Sequence, residues 1–194
     1  MNRRLFSLVG AFLLWAGNAM PAWAAETYSI DPAHSGVTFK ISHIGLSWIH
    51  GRFNNYAGTF SIDPDDAGKC SFEMKINTES IDTNNNMRDN HLRSPDFFNV
   101  KQFPAISFES TGVKAVKDGY EVTGNLTLHG VAKPVTFALV GGKKAEFPKG
   151  VQRTGYSTEL ILKRSDFGVG KAQFANALGE DVHIEISFEG VQKK

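Results

Sequence analysis

Apolar and polar residues alternate along most of this chain, and that period of two limits the fold more than any other feature. In "CSFEMKIN" Phe72, Met74 and Ile76 share one side, with Glu73 and Lys75 opposite. "SGVTFKIS" gives Val37, Phe39 and Ile41, and "GTFSID" gives Phe60 and Ile62. "AISFES" gives Ile106 and Phe108, and "YEVTGNLTL" gives Tyr120, Val122, Leu126 and Leu128. "PVTFALV" contributes Val135, Phe137 and Leu139, and "GYSTELILK" contributes Tyr156, Leu160 and Leu162. "VHIEISFEG" sets Val182, Ile184, Ile186 and Phe188 against His183, Glu185, Ser187 and Glu189. These segments predict about eight strands, each with one dry and one wet face, as in antiparallel sheet.

The intervening "DPDDAGK", "KDG", "HGVAKP" and "GGKK" are turn chemistry. Two segments interrupt the alternation, "HIGLSWIHGRFNNY" and "MRDNHLRSPDFFNV". No long helical pattern exists to cover an open sheet. The strands must therefore form a sandwich or close on themselves, and an up-and-down barrel is favoured. Eight strands make a barrel just wide enough to be filled by side chains or to hold one small ligand. The inward set is rich in Phe, of which the chain has 15, and in Ile, Leu and Val. A filled core and an apolar slot share that pattern, so periodicity leaves both open. Gly58 and Gly124 beside strands mark bends or close approaches.

The first residues do not belong to this pattern. "MNRR" is a positive n-region, "LFSLVGAFLLWAG" an apolar h-region, and "AWA" a small-x-small cleavage signal. Residues 1–24 are thus expected to be a cleaved signal peptide, and the apolar run is short for a bilayer span of about 20 residues. The expected destination is the periplasm, with residues 25–194 forming one domain. Removing Arg3 and Arg4 from 21 basic residues leaves 19 against 20 acidic ones, a net charge of −1. That balance argues against a nucleic-acid partner. The single cysteine, Cys70, cannot form an internal disulfide, and its parity with Phe72 and Met74 reads as a small buried hydrophobe.

The residues that carry these patterns also carry motifs. "YSIDPAHSGVTFKISHIGLSWIHGRF" resembles the N-terminal signature of the YceI-like family of periplasmic, lipocalin-like polyisoprenoid-binding proteins. "SIDTNNNMRDNHLRSPDFFNVKQFPAISFES", "VTGNLTLHGVAKPV" and "ILKRSDFGVG" match as well, in order, from Tyr28 to Phe188. The resemblance implies an all-β, eight-stranded antiparallel lipocalin-like barrel around a long apolar tunnel, with one or two short helices near its ends. It implies a bound isoprenoid lipid, such as a polyprenyl phosphate or an isoprenoid quinone, or another long-chain amphiphile. A stress-related role enters by analogy only, since fold alone does not assign function.

On this reading the inward Phe39, Ile41, Phe60, Phe72, Phe108, Leu126, Phe137 and Ile184 are the expected tunnel contacts. The charged stretch at 87–100 becomes the expected mouth. Arg88, His91 and Arg164, with His43, offer donors to a lipid head group, and Phe97 and Phe98 line or plug the barrel end. The alternative is structural, with Arg88, Asp89 and an Arg164–Asp166 pair pinning a short helix over that end. The six histidines lack zinc-motif spacing, so no metal is expected, and no other cofactor beyond the bound lipid. There is no Gly-x-Ser-x-Gly and no nucleotide-cradling loop. The expected function is non-catalytic binding, transport or sequestration of the lipid. The competing reading is a small periplasmic enzyme using His43 or His91 with Asp89 as an acid–base pair, or a bound metal. "GLSWIHGRF" admits a transient membrane-surface contact, and a homodimer is left open.

Overall fold

The computed structural model describes residues 25–193. The signal peptide expected at residues 1–24 lies outside the described residues. The strand segments are β1 (Glu26–Ile30), β2 (Gly36–His43), β3 (Ser47–Phe53), β4 (Tyr56–Ile62), β5 (Ser71–Asn77) and β6 (Ile81–Asp82). Helix α1 (Asn86–Arg93) follows, and then β7 (Ala105–Val116), β8 (Gly119–Leu128), β9 (Val131–Glu146), β10 (Gln152–Lys163) and β11 (Leu178–Gln192).

Six of the segments join in pairs to make three long, kinked staves. β1 and β2 lie along one edge of β11, with Ile30 opposite Gly190 and Phe39 opposite Ile184. Their other edge meets β4 and β3, with Tyr28 opposite Phe60 and Phe39 opposite Gly51. β5 and β6 continue the pattern against β4 and β3. With β7 to β11 this makes a closed, eight-stranded antiparallel barrel in simple meander order, as the alternation predicted. The ring closes where β1 pairs with β11, while at the mouth the outer edge of β3 and β6 has no further strand partner among the described residues.

Local chemistry sets the kinks. Between β1 and β2, Asp31 caps the 3-10 turn Pro32–His34, accepting from the Ala33 N–H at 3.1 Å. The same carboxylate accepts from Arg153 at 2.7 Å and lies 2.8 Å from His34 Nδ1. The Arg153 guanidinium, helped by His34, lowers its pKa to about 2. The other break, "HIGLSWIHGRFNNY", is corrected by the structure, because its middle, Ser47–Phe53, is strand β3. Ile49, Gly51 and Phe53 share the inward parity, while Trp48, His50 and Arg52 face out. Glycine at the central inward position and tryptophan outside hid the alternation. The Phe39 ring requires that glycine, since a Cβ at Gly51 would meet it at 2.3 Å. Phe108 lies over Gly124 in the same way, at 2.4 Å. The short β1, not read as a strand from the alternation, places Tyr28 in the core.

One end of the barrel is solid. Tyr28, Phe60, Phe72, Tyr156 and Phe188 are all buried there. Phe60 stacks on Tyr28 and Phe72 at 5.0 and 5.8 Å and takes Tyr156 and Phe188 edge-on. Tyr120 closes the cluster against Phe72 and Tyr156. We call this end the floor. Cys70 is buried in the main core with burial raising its thiol pKa, consistent with a packing role.

Candidate functional site

Above the floor the barrel is hollow. A cavity of about 470 Å³ extends from Phe60, Phe72 and Phe188 to the segments that cover the opposite end. Its size falls in the usual range for ligand sites, roughly 300–1,000 Å³. Phe39, Ile41, Phe108, Leu126, Phe137 and Ile184 line it, and each is only half-buried despite facing inward. That combination distinguishes a bore from a filled core, because an inward side chain remains accessible only where nothing packs on it. Phe60 and Phe72 touch the same space from below, as part of the floor. All eight expected tunnel residues therefore border one cavity.

The cover at the mouth is built from α1, the loop after it, and the segment between β10 and β11. Asn85 caps α1 by accepting from the Arg88 N–H at 3.0 Å. Pro95, just past its end, cannot continue it. Phe97 is buried and stacks on Phe174 at 4.9 Å, and Phe98 meets Phe53 edge-on at 5.9 Å. Both line the cavity, as do His43, Arg88, His91 and Arg164. The six expected mouth residues thus also come together.

Their bonds show what the cations are already doing. Arg88 donates from Nε to Thr83 Oγ1 and from Nη2 to the Thr83 carbonyl, both at 2.7 Å. Asp89 accepts from the same threonine's N–H at 2.9 Å and from its hydroxyl at 2.5 Å. Arg164, 7% exposed, donates to the carbonyls of Gly179, Val169 and Gly170 at 3.1 to 3.2 Å. The expected Arg164–Asp166 pair does not form. Asp166 pairs with Lys133 at 2.8 Å, and Arg164 lies 3.6 Å from Glu180. The pinning role is present, but backbone oxygens and a threonine do most of it. Arg88 Nη1 has no hydrogen-bond partner among the described residues.

The acid–base pair of the enzyme reading is not assembled as expected. Asp89 is buried against Thr83, and His91 instead faces Asp96, with Nε2 3.3 Å from Oδ2. Asp96 also takes Lys171, which ties the loop after α1 to the β10–β11 segment. Lys171 first, then His91, lowers the Asp96 pKa. His43 is exposed at the rim. Among the described residues no three His, Cys, Asp or Glu side chains converge as metal ligands would.

Some cavity residues escaped the sequence reading. Phe174, Ala177 and Leu178 lie in a segment with no alternation to reveal them. Thr158 follows the inward parity of Tyr156, Leu160 and Leu162. It is 5% exposed, lines the cavity, and its hydroxyl has no hydrogen-bond partner among the described residues. Parity alone would have found it, as the polar residue in an apolar row.

A closed eight-stranded meander with a capped apolar bore defines a lipocalin-like binding barrel. The YceI-like domain matches residues 28–190, and the chain belongs to that family. A UPF0312 protein of Pseudomonas aeruginosa (strain LESB58) is 42% identical over 189 residues, covering 95% of each chain. Among solved structures, Burkholderia cenocepacia BcnA superposes with a TM-score of 0.75 at 25% identity, over 82% of this chain and 98% of that one. A polyisoprenoid binding domain from Saccharophagus degradans shares the fold, with a TM-score of 0.65 at 18% identity, over 86% of this chain and 98% of its own.

Proposed function

We propose that this protein binds a long-chain isoprenoid lipid in the bore and carries or sequesters it without chemical turnover. The observation that carries the reading is the row of inward, half-buried hydrophobic residues around one continuous cavity. Hydrocarbon is the chemistry such a wall selects, since burying a polar chain there would cost its hydration with nothing in return. The description of the Saccharophagus degradans neighbour as polyisoprenoid-binding points the same way. The head group, a phosphate or a quinone, belongs at the mouth, where Arg88 Nη1, His43 and His91 are the available polar groups. A cleaved signal peptide at residues 1–24 would deliver the carrier to the periplasm.

Organic extraction of the purified protein followed by mass spectrometry tests this directly. A stoichiometric long-chain lipid is expected. Leu126→Arg should abolish lipid co-purification while the barrel still folds, because an unpaired charge beside the chain is too costly. Normal lipid retention in the folded variant overturns the proposal.

A further inference from the structure

We infer that the tip of the β2–β3 hairpin is a membrane-docking element whose partner is an anionic phospholipid surface. The inference rests on the lipid-carrier reading and adds where the cavity meets its source of lipid. Three large hydrophobic residues project at this tip. Leu46 is 82% exposed, Ile44 52% and Trp48 48%. Single exposed hydrophobes are ordinary, but three within five residues form a patch. The backbone adds a second sign. Ile44 has φ +45°, a left-handed conformation that β-branched residues rarely adopt and that Gly or Asn takes easily. An apolar side chain is thus held toward solvent at a position where it strains the turn.

Charge indicates the partner. From Gly36 to Phe53 the hairpin carries Lys40, His43, His50 and Arg52 and no Asp or Glu; Arg52, at the end away from the tip, is paired with Asp82, which leaves Lys40 and the two histidines. Lys40 Nζ lies 5.3 Å from the centre of the Trp48 ring and has no carboxylate partner among the described residues. The ring stands edge-on to His183 at 5.1 Å. Aliphatic tips, an indole behind them and a cation behind that match the layers of a bilayer interface, from acyl chain to phosphate. A second copy of the same acid-free hairpin would meet like charge.

The patch is continuous with the cavity. Ile41, His43 and Ile49 of the same hairpin line it. The Ile44 N–H donates to the Ala177 carbonyl at 2.8 Å, joining the tip to the segment over the mouth, where Ala177 and Leu178 also line the cavity. Docking by the tip therefore places the mouth against the head-group layer.

All eight staves lie within residues 25–193, and Trp48 is the only tryptophan after residue 24, so a chain starting at Ala25 carries its own probe. With phosphatidylglycerol/phosphatidylethanolamine vesicles, Trp48 emission should shift to the blue and the protein should co-sediment. Both effects should weaken with salt and with phosphatidylcholine vesicles. Leu46→Asp should reduce the vesicle partition by about tenfold or more. Ile44→Asn should reduce it too while holding or raising the melting temperature, since Asn tolerates the turn. Loading from detergent micelles, which bypasses docking, should be unchanged in both variants. Absence of an emission shift and of co-sedimentation overturns the inference. So does a Leu46→Asp variant that changes only the oligomeric state on size exclusion. Docking without any loading from micelles would sink the carrier reading and leave the docking element standing.

Discussion

The two ends of the bore are built from the same alternation and come out differently. At the floor six rings meet across the barrel, Phe60 at their centre, and the space is closed. Towards the mouth the inward positions on β9 to β11 are Val135, Phe137, Leu160, Leu162, Val182, Ile184 and Ile186, one ring among aliphatic side chains, and the middle stays open. Strand number sets a barrel's width, so side-chain size decides whether it is filled. Parity shows which residues face in; only the summed volume across facing strands shows whether they touch. This is why the alternation marked the bore residues but left the cavity open, and only the family resemblance implied a tunnel.

The largest expected effect separates the ends directly. Phe60→Ala should destabilise the protein by about 3–5 kcal/mol, because the surrounding rings cannot collapse into the space it leaves. Phe137→Ala should cost about 1–2 kcal/mol, since its ring packs on Phe108 at 5.1 Å on one side and faces the cavity on the other. For lipid affinity the order should reverse. Urea denaturation of the lipid-free variants, beside retention of an extracted lipid, measures both. Equal stability losses would mean that the mouth half is packed in solution.

The polar clamps differ as well. At the mouth Arg88 and Arg164 spend their donors mainly on neutral oxygens of Thr83, Val169, Gly170 and Gly179. Such bonds leave no mark in a sequence, because any residue supplies a carbonyl. The motif placed these arginines at the mouth, but the sequence could not reveal their partners. β3 stayed hidden for a related reason: Gly51 makes room for Phe39, and a missing side chain registers in no hydropathy pattern. Arg88→Ala should lower stability by about 1–3 kcal/mol, the scale of charge-assisted bonds to Thr83. If Nη1 also holds a head group, the variant should lose more affinity for a phosphate- or quinone-headed lipid than for a plain hydrocarbon of equal length. Thermal melts run beside binding of the two ligands resolve this, and equal losses would reduce Arg88 to a clamp on the fold.

Near the floor Arg153 donates instead to carboxylates, to Asp31 at 2.7 Å and Glu189 at 3.1 Å. Asp31 titrates at about 2 in the fold, against an ordinary value of 3.8. A depressed carboxylate contributes stability that is complete above its unfolded pKa and is lost as pH falls through the folded one. The Asp31 contribution should therefore persist at neutral pH and fade between about pH 4 and 2. Asp31→Asn should cost about 1 kcal/mol at pH 7, the usual scale for weakening a capping and pairing carboxylate. The difference from wild type should shrink as pH approaches 2. A pH-independent difference would place the loss in the turn geometry rather than in the charge.

The smallest effect lies where the two ends meet. Thr158 sits one inward position above Tyr156 of the floor and one below Leu160 of the bore. Its hydroxyl has no partner among the described residues, in a wall that is mostly hydrocarbon. Valine has nearly the same shape and removes the unmet bond, so Thr158→Val should raise the stability of the lipid-free protein by up to about 1 kcal/mol. Retention of a lipid whose inner end is hydrocarbon should improve in parallel. Thr158→Ser keeps the hydroxyl and loses a methyl, so it should lower both. If Thr158→Val instead weakens the extracted lipid while still raising the melting temperature of the empty barrel, the hydroxyl serves the ligand. The lipid would then carry a hydrogen-bonding group at its deep end as well as at the mouth.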